Sequence, residues 1–118
     1  MKLDHKYATE WLNKLKEYWF RKDIEKATSL FVKTSFYQET PFDEVYTKFE
    51  EIVQEWQHIK SQDIKNIKFN ILAIDRNILI VNWIFERDIT IFNGIYEIRF
   101  NDNLECVYFR SWEMENNI

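Results

Sequence analysis

Apolar residues recur along residues 4–20 at Tyr7, Trp11, Leu15 and Tyr18, with Ala8, Leu12 and Trp19 beside them. Spacings of three and four gather these side chains on one wide face, which predicts an amphipathic helix. After a short break at Arg21 and Lys22, Asp23 is placed to cap a second, shorter helix through Ile24, Ala27, Leu30 and Phe31. Residues 32–39 are rich in β-branched and aromatic types and run into Thr40-Pro41-Phe42-Asp43, which predicts a short strand ending in a loop. Phe49, Ile52, Val53 and Trp56 return to helical spacing, with Glu50, Glu51 and Glu55 on the wet side, and this third helix should end near residues 58–60.

Beyond Gln62 the period changes from helical to twofold. Ile67, Phe69, Ile71 and Ala73 share one parity, and Asp75-Arg76-Asn77 is a turn signal. Strands follow over 78–87, 89–101 and 104–114, separated by turns at 87–89 and at Asp102-Asn103. Turns this short join only antiparallel neighbours. The fold class expected is therefore α+β, with three N-terminal helices packed on a curved antiparallel sheet in one domain spanning 1–118. Gly94, inside a strand, marks an expected bulge or bend. Several strands are apolar on both faces, and three short helices cover only one of them. A homodimer through the uncovered face, or curling of the sheet, is the expected answer.

Composition narrows the function classes. One Gly and one Pro in 118 residues exclude Gly-rich phosphate loops and the dinucleotide fingerprint. A net charge of -4, with 16 basic residues scattered among 20 acids, gives no footprint for nucleic acid. No stretch resembles a secretory h-region or a membrane span, and a single cysteine, Cys106, forms neither an internal disulfide nor a Cys-based metal site. The expected address is the cytoplasm. No metal and no cofactor are expected, since the second histidine, His5, sits in the first helix far from any ligand set. An aromatic share of 18% fits a large core and also a lined pocket.

Three constellations carry candidate chemistry. Tyr37 and Glu39 share strand parity before Pro41, and a phenol beside a carboxylate can transfer protons in an apolar cavity; the plain alternative is a core Tyr with Glu39 at the rim. His58 and Asp63 lie where the third helix meets the sheet, as an oriented base or as a solvated helix end. Arg110 shares parity with Tyr108 and Trp112, next to Glu113, and is expected either to bind an acidic ligand group or to pack its stem on Trp112, with Glu39 or Glu86 as partners if it points inward. Trp83 and Tyr96 join Arg110 and Trp112 as the expected pocket lining, with Tyr37 and Glu39 at the mouth or wall, whereas Trp19 and Trp56 are read as core.

Several runs recur in an order that resembles a known family: Trp19-Phe-Arg-Lys-Asp23 with Leu30-Phe31, Phe36-Tyr37-Gln-Glu-Thr-Pro41-Phe42, Glu51-Ile52 through Trp56, Asn93-Gly94-Ile95-Tyr96 to Phe100, and Cys106 through Arg110-Ser-Trp112-Glu113. Together they resemble the SnoaL-like branch of the nuclear transport factor 2-like superfamily over nearly the whole chain. The glycine usual before the third helix of that family is replaced by residues 43–47. The resemblance implies a cone-shaped, cystatin-like roll around a cavity, often in a homodimer packed through the outer sheet face. Relatives include isomerases, dehydratases, polyketide cyclases and epoxide hydrolases, together with noncatalytic modules. Their catalytic Asp, alone or with His, corresponds to no position here residue by residue. The function expected is binding of a small hydrophobic molecule, with acid/base chemistry of isomerase, dehydratase or cyclase type; the alternative is a noncatalytic protein-interaction or dimerisation module.

Overall fold

The computed structural model describes residues 2–116. Asp4 caps helix α1 (His5–Phe20) by accepting the Tyr7 N–H at 2.8 Å, and the helix turns Ala8, Trp11, Leu12 and Leu15 inward. Lys22 takes a left-handed conformation (φ 54°) that reverses the chain, and Asp23 then caps α2 (Ile24–Ser29) through the Lys26 N–H. A short strand, β1 (Phe36–Gln38), precedes α3 (Phe49–Trp56) and a 3₁₀ turn over Gln57–Ser61. Four long strands complete the chain: β2 (Ile64–Asp75), β3 (Ile78–Arg87), β4 (Thr90–Phe100) and β5 (Cys106–Asn116).

The sheet order is β1-β5-β4-β3-β2. The four long strands pair antiparallel, as their short turns require, while β1 joins in parallel beside β5, with Tyr37 opposite Phe109. The sheet is thus mixed rather than wholly antiparallel, because β1 reaches its neighbour through the whole intervening chain and no hairpin dictates its direction.

One face of the sheet is concave and carries the core: Leu79, Val81, Trp83 and Phe85 from β3, Phe92, Tyr96, Ile98 and Phe100 from β4, and Phe109 and Ser111 from β5. Helix α1 and the turn that follows α2, which ends before the Phe31 expected to close it, seat aromatic rings on it edge to face, Trp11 against Phe100 (5.5 Å) and Phe31 against Phe109 (5.1 Å). The bulge expected at Gly94 is absent. Pairing runs unbroken through Trp83, Gly94 and Glu113, and the register shifts lie at Ile64/Asn66, Ile71/Ala73 and Arg99/Phe100. Gly94 instead makes room. A Cβ there would stand 2.5 Å from the Trp83 indole and 2.2 Å from the Trp112 carbonyl oxygen. Among the described residues no helix is long and apolar enough to cross a membrane.

Candidate functional site

Between the concave face and the helices lies a cavity of about 270 Å³. β1 and the loop after it supply Tyr37, Glu39, Thr40 and Asp43; α1 supplies Leu15 and Trp19; α3 and the 3₁₀ turn supply Glu55, Trp56, His58 and Ile59. The sheet contributes Trp83, Phe85, Phe92, Tyr96, Phe109, Ser111 and Glu113. Four of the six expected pocket residues, Tyr37, Glu39, Trp83 and Tyr96, therefore meet at one cavity.

Arg110 and Trp112 do not. Side chains alternate along β5, and Phe109, Ser111 and Glu113 take the concave side, which leaves Tyr108, Arg110 and Trp112 on the outer face. The Arg110 guanidinium lies over the Trp112 ring at 4.7 Å, away from Glu39. The physical reason is packing: Phe109 stacks on Tyr37 (5.2 Å) and meets Tyr96 (4.6 Å), and that aromatic contact fixes the register of the last strand. His58 and Asp63 also separate. His58 is exposed and stands 3.8 Å from Glu55, while Asp63 pairs with Lys65 at 2.9 Å.

The chemistry concentrates at Glu39. Its Oε2 accepts the Tyr37 hydroxyl at 2.8 Å in a wall of aromatic rings. Loss of hydration raises its pKa to about 8; the Tyr37 hydrogen bond opposes that rise, and repulsion and hydrogen bonding from Glu55, then repulsion from Glu113, add to it. Glu39 and Glu55 are thus neighbouring carboxyls, and repulsion and hydrogen bonding from Glu55 help to hold the proton on Glu39. Glu55 Oε2 in turn accepts the Tyr46 hydroxyl at 3.0 Å, so each carboxyl carries a tyrosine, and burial lifts the Tyr37 phenol well above its ordinary range. The tyrosines are fixed by their backbones, since the Tyr37 N–H donates to the Tyr46 carbonyl at 3.0 Å and the Tyr46 N–H returns the bond at 2.9 Å.

Helical spacing puts Glu55 on the wet face, the pattern singles out neither Tyr46 nor Ser111, and Glu113 enters it only beside Arg110 and Trp112 rather than as a cavity carboxyl. The available signals were Glu55 flanking the buried Trp56 at the end of α3, and the parity that Ser111 and Glu113 share with Phe109. Ser111 Oγ accepts the Trp83 indole N–H at 3.0 Å, which pins that ring, and Trp83 stacks on Tyr96 at 5.4 Å. Trp19 and Trp56 pack on each other (5.6 Å) and are at once core and cavity wall. Among the described residues no group of three or more His, Cys, Asp or Glu is placed to hold a metal ion.

No protein-family model matches the sequence, and no curated protein does. Solved structures do match. An epoxide hydrolase/cyclase-like enzyme, SalBIII, described in pyran ring formation in the polyether salinomycin, superposes with a TM-score of 0.78 at 12% identity, over 94% of this chain and 93% of that one. An NTF-2 like protein of unknown function from Burkholderia xenovorans gives 0.74 at 11% identity, over 93% and 84%. A steroid delta-isomerase from Pseudomonas aeruginosa gives 0.69 at 16% identity, over 95% and 82%. At these identities the likeness is one of fold. With its helices and curved mixed sheet superposing on these structures, this chain has the nuclear transport factor 2-like fold.

Proposed function

We propose that the protein binds a small, largely apolar molecule in the cone and moves a proton on it, with the Glu39–Glu55 pair as the acid/base group. The observation that carries this reading is the Tyr37–Glu39 hydrogen bond in an aromatic cavity, where the carboxyl titrates close to physiological pH. A group whose pKa lies near the working pH is both sufficiently populated and sufficiently driven to exchange protons with a ligand. Separated environments for neighbouring titratable groups are also what acid/base sites require. The isomerase and the cyclase-like enzyme among the similar structures support the reaction type by analogy of scaffold. The test is reaction-neutral: small cyclic and aryl ketones are incubated with the protein in heavy water, and deuterium uptake next to the carbonyl is followed by NMR. Uptake that depends on the native carboxyl and disappears in Glu39→Gln is expected. Uptake that survives in that variant removes Glu39 from the role.

A second reading concerns assembly and is favoured by the outer sheet face. Phe36 and Tyr108 stack there at 4.5 Å beside Trp112, Ile95 and Ile84, and Met114 is 64% exposed. Arg110 Nε on that face is buried with no hydrogen-bond partner. We propose that this face forms a homodimer, where a second copy covers the rings and supplies the missing acceptor. The lone buried thiol of Cys106 suits a reducing compartment, so the cytoplasm is the proposed location.

A further inference from the structure

We propose that the occupant of the cavity is an amine carried as its ammonium ion, with an apolar aryl or polycyclic body and an oxygen acceptor, rather than an acid or a neutral hydrocarbon-like molecule. This rests on the cavity being the ligand site, and it adds the charge class of the ligand.

The first ground is the balance of charge on the wall. Four carboxyl groups line the cavity: Glu39, Asp43, Glu55 and Glu113. Among the described residues one guanidinium, that of Arg87, reaches the wall, where it lies 3.1 Å from Asp88 and stacks at 4.9 Å on the wall residue Phe92. Arg110, the cation expected to receive an acidic ligand, is on the other side of the sheet. His58 is largely in solvent, with 71% of its side chain exposed. Among the described residues no cation is paired with Glu39, which faces the carboxyls of Glu55 and Glu113 and the phenols of Tyr37, Tyr46 and Tyr96. An anionic ligand meets repulsion there, and a cation supplies what the site lacks.

The second ground is independent of charge. Trp19 lines the cavity, and its buried indole N–H has no hydrogen-bond partner among the described residues. Gln62 Oε1, on the same wall, is buried and also unpartnered. Buried polar atoms are nearly always satisfied, so an orphaned donor and an orphaned acceptor on one cavity wall point to an occupant that provides both an oxygen and an N–H. The third ground is the remaining surface: the aromatic side chains of the wall, Trp19, Trp83 and Tyr96 among them, accommodate an apolar body. Binding an ammonium ion beside Glu39 lowers the affinity of that carboxyl for its proton. At pH 7 the complex then forms with release of a proton to solvent: the ammonium keeps its own hydrogens, and the Glu39 carboxyl loses one.

The experiment uses one skeleton with four charges. 2-(1-Naphthyloxy)ethylamine, its trimethylammonium analogue, 2-(1-naphthyloxy)ethanol and (1-naphthyloxy)acetic acid are titrated into the whole protein at pH 7 and low salt by calorimetry, in two buffers of different ionisation heat. The expected result is that both cations bind more tightly than the alcohol by about tenfold or more, the range of one charge-assisted contact, and that the acid binds weakest. The primary amine should also show proton release that the alcohol does not, a readout of the native protein that needs no variant. In folded Glu39→Gln/Glu55→Gln, checked by its melt, the advantage of the cations over the alcohol should fall close to unity. An alcohol or acid that binds as well as the amine overturns the charge assignment while leaving the cavity as a ligand site. Absence of binding by all four overturns both.

Discussion

The indole of Trp83 lies over the Cα of Gly94, its partner on the neighbouring strand, and occupies the space a side chain there would need. Gly94→Ala forces a methyl group to within 2.5 Å of that ring and 2.2 Å of the Trp112 carbonyl, neither of which yields without moving the sheet or releasing the Trp83–Ser111 hydrogen bond. A loss of roughly 1 to 3 kcal/mol is expected, as for other overpacked cores. Urea unfolding gives the answer, and a midpoint equal to the parent's would show that the indole has freedom the contacts deny it.

Glu39 makes stability depend on pH in a stated direction. Its ordinary pKa is 4.5 and its folded value is about 8, so between these limits the native state holds a proton that the unfolded chain releases. Unfolding there liberates a proton, and raising the pH favours it. The stabilising contribution is complete below about 4.5 and is lost as the pH climbs through 8. Glu39→Gln keeps the neutral shape and cannot ionise, so it should match the parent near pH 4, below the ordinary carboxyl value of 4.5, and exceed it at pH 9 by roughly 1 to 3 kcal/mol, a figure discounted for solvent reaching the cavity. Thermal melts across that range decide the matter; parallel curves for the two proteins would mean that Glu39 is not held protonated.

Tyr37→Phe tests the pair from the other side. The Tyr37 hydroxyl favours the ionised form of Glu39, so its removal should carry the carboxyl pKa above about 8. The shift should be on the order of one unit, the size of a single hydrogen bond to a charged group. Isotope-edited infrared titration of the glutamate carboxyls reads this directly, and an unchanged or lower value would contradict the assigned direction.

Cys106 should be inert in the folded protein. Burial pushes its thiol up to about 12, and the neighbouring Thr34 donates its hydroxyl to the Cys106 carbonyl, closing the backbone around it. A thiol reagent at pH 7.5 is expected to modify it only as fast as the protein opens, with complete reaction in denaturant. Rapid labelling of native protein would show that this part of β5 is open to solvent.

For the proposed dimer, light scattering should give twice the chain mass, and Trp112→Glu should return a folded monomer, because a buried carboxylate at a two-fold interface is met by its own copy. A parent protein that is strictly monomeric at roughly tens of micromolar would rule out the interface.

Much of this architecture is local and was therefore legible. Asp23 announces its helix by capping, and Arg76-Asn77 and Asp102-Asn103 sit in turns between strands of the length that alternation implies. Parity also grouped Trp83 with Phe85 and Tyr96 with Phe100 correctly. What alternation does not contain is the sign of a face. On β5 the set with Trp112 and Arg110 is richer in aromatic and cationic character, yet Phe109 turns inward because Phe31, edge to face, and Tyr37, stacked, pack on it from far away in sequence. Glu55 was hidden for a related reason: helical spacing separates wet from dry faces, and a carboxylate that borders a cavity belongs to neither until the opposing wall is known.

The parallel seam between β1 and β5 ties together segments far apart in the sequence, and Tyr37 and Glu39 stand on one side of it with Ser111 and Glu113 on the other. A chain whose last strand has not docked has no closed cone, so a partly folded form presents a ligand with only half its contacts. Occupancy of the cavity is consequently linked to the global unfolding equilibrium rather than to a local opening. A compound that fits should raise the melting temperature of the entire domain in proportion to its saturation, which makes heat denaturation itself a measuring device for affinity.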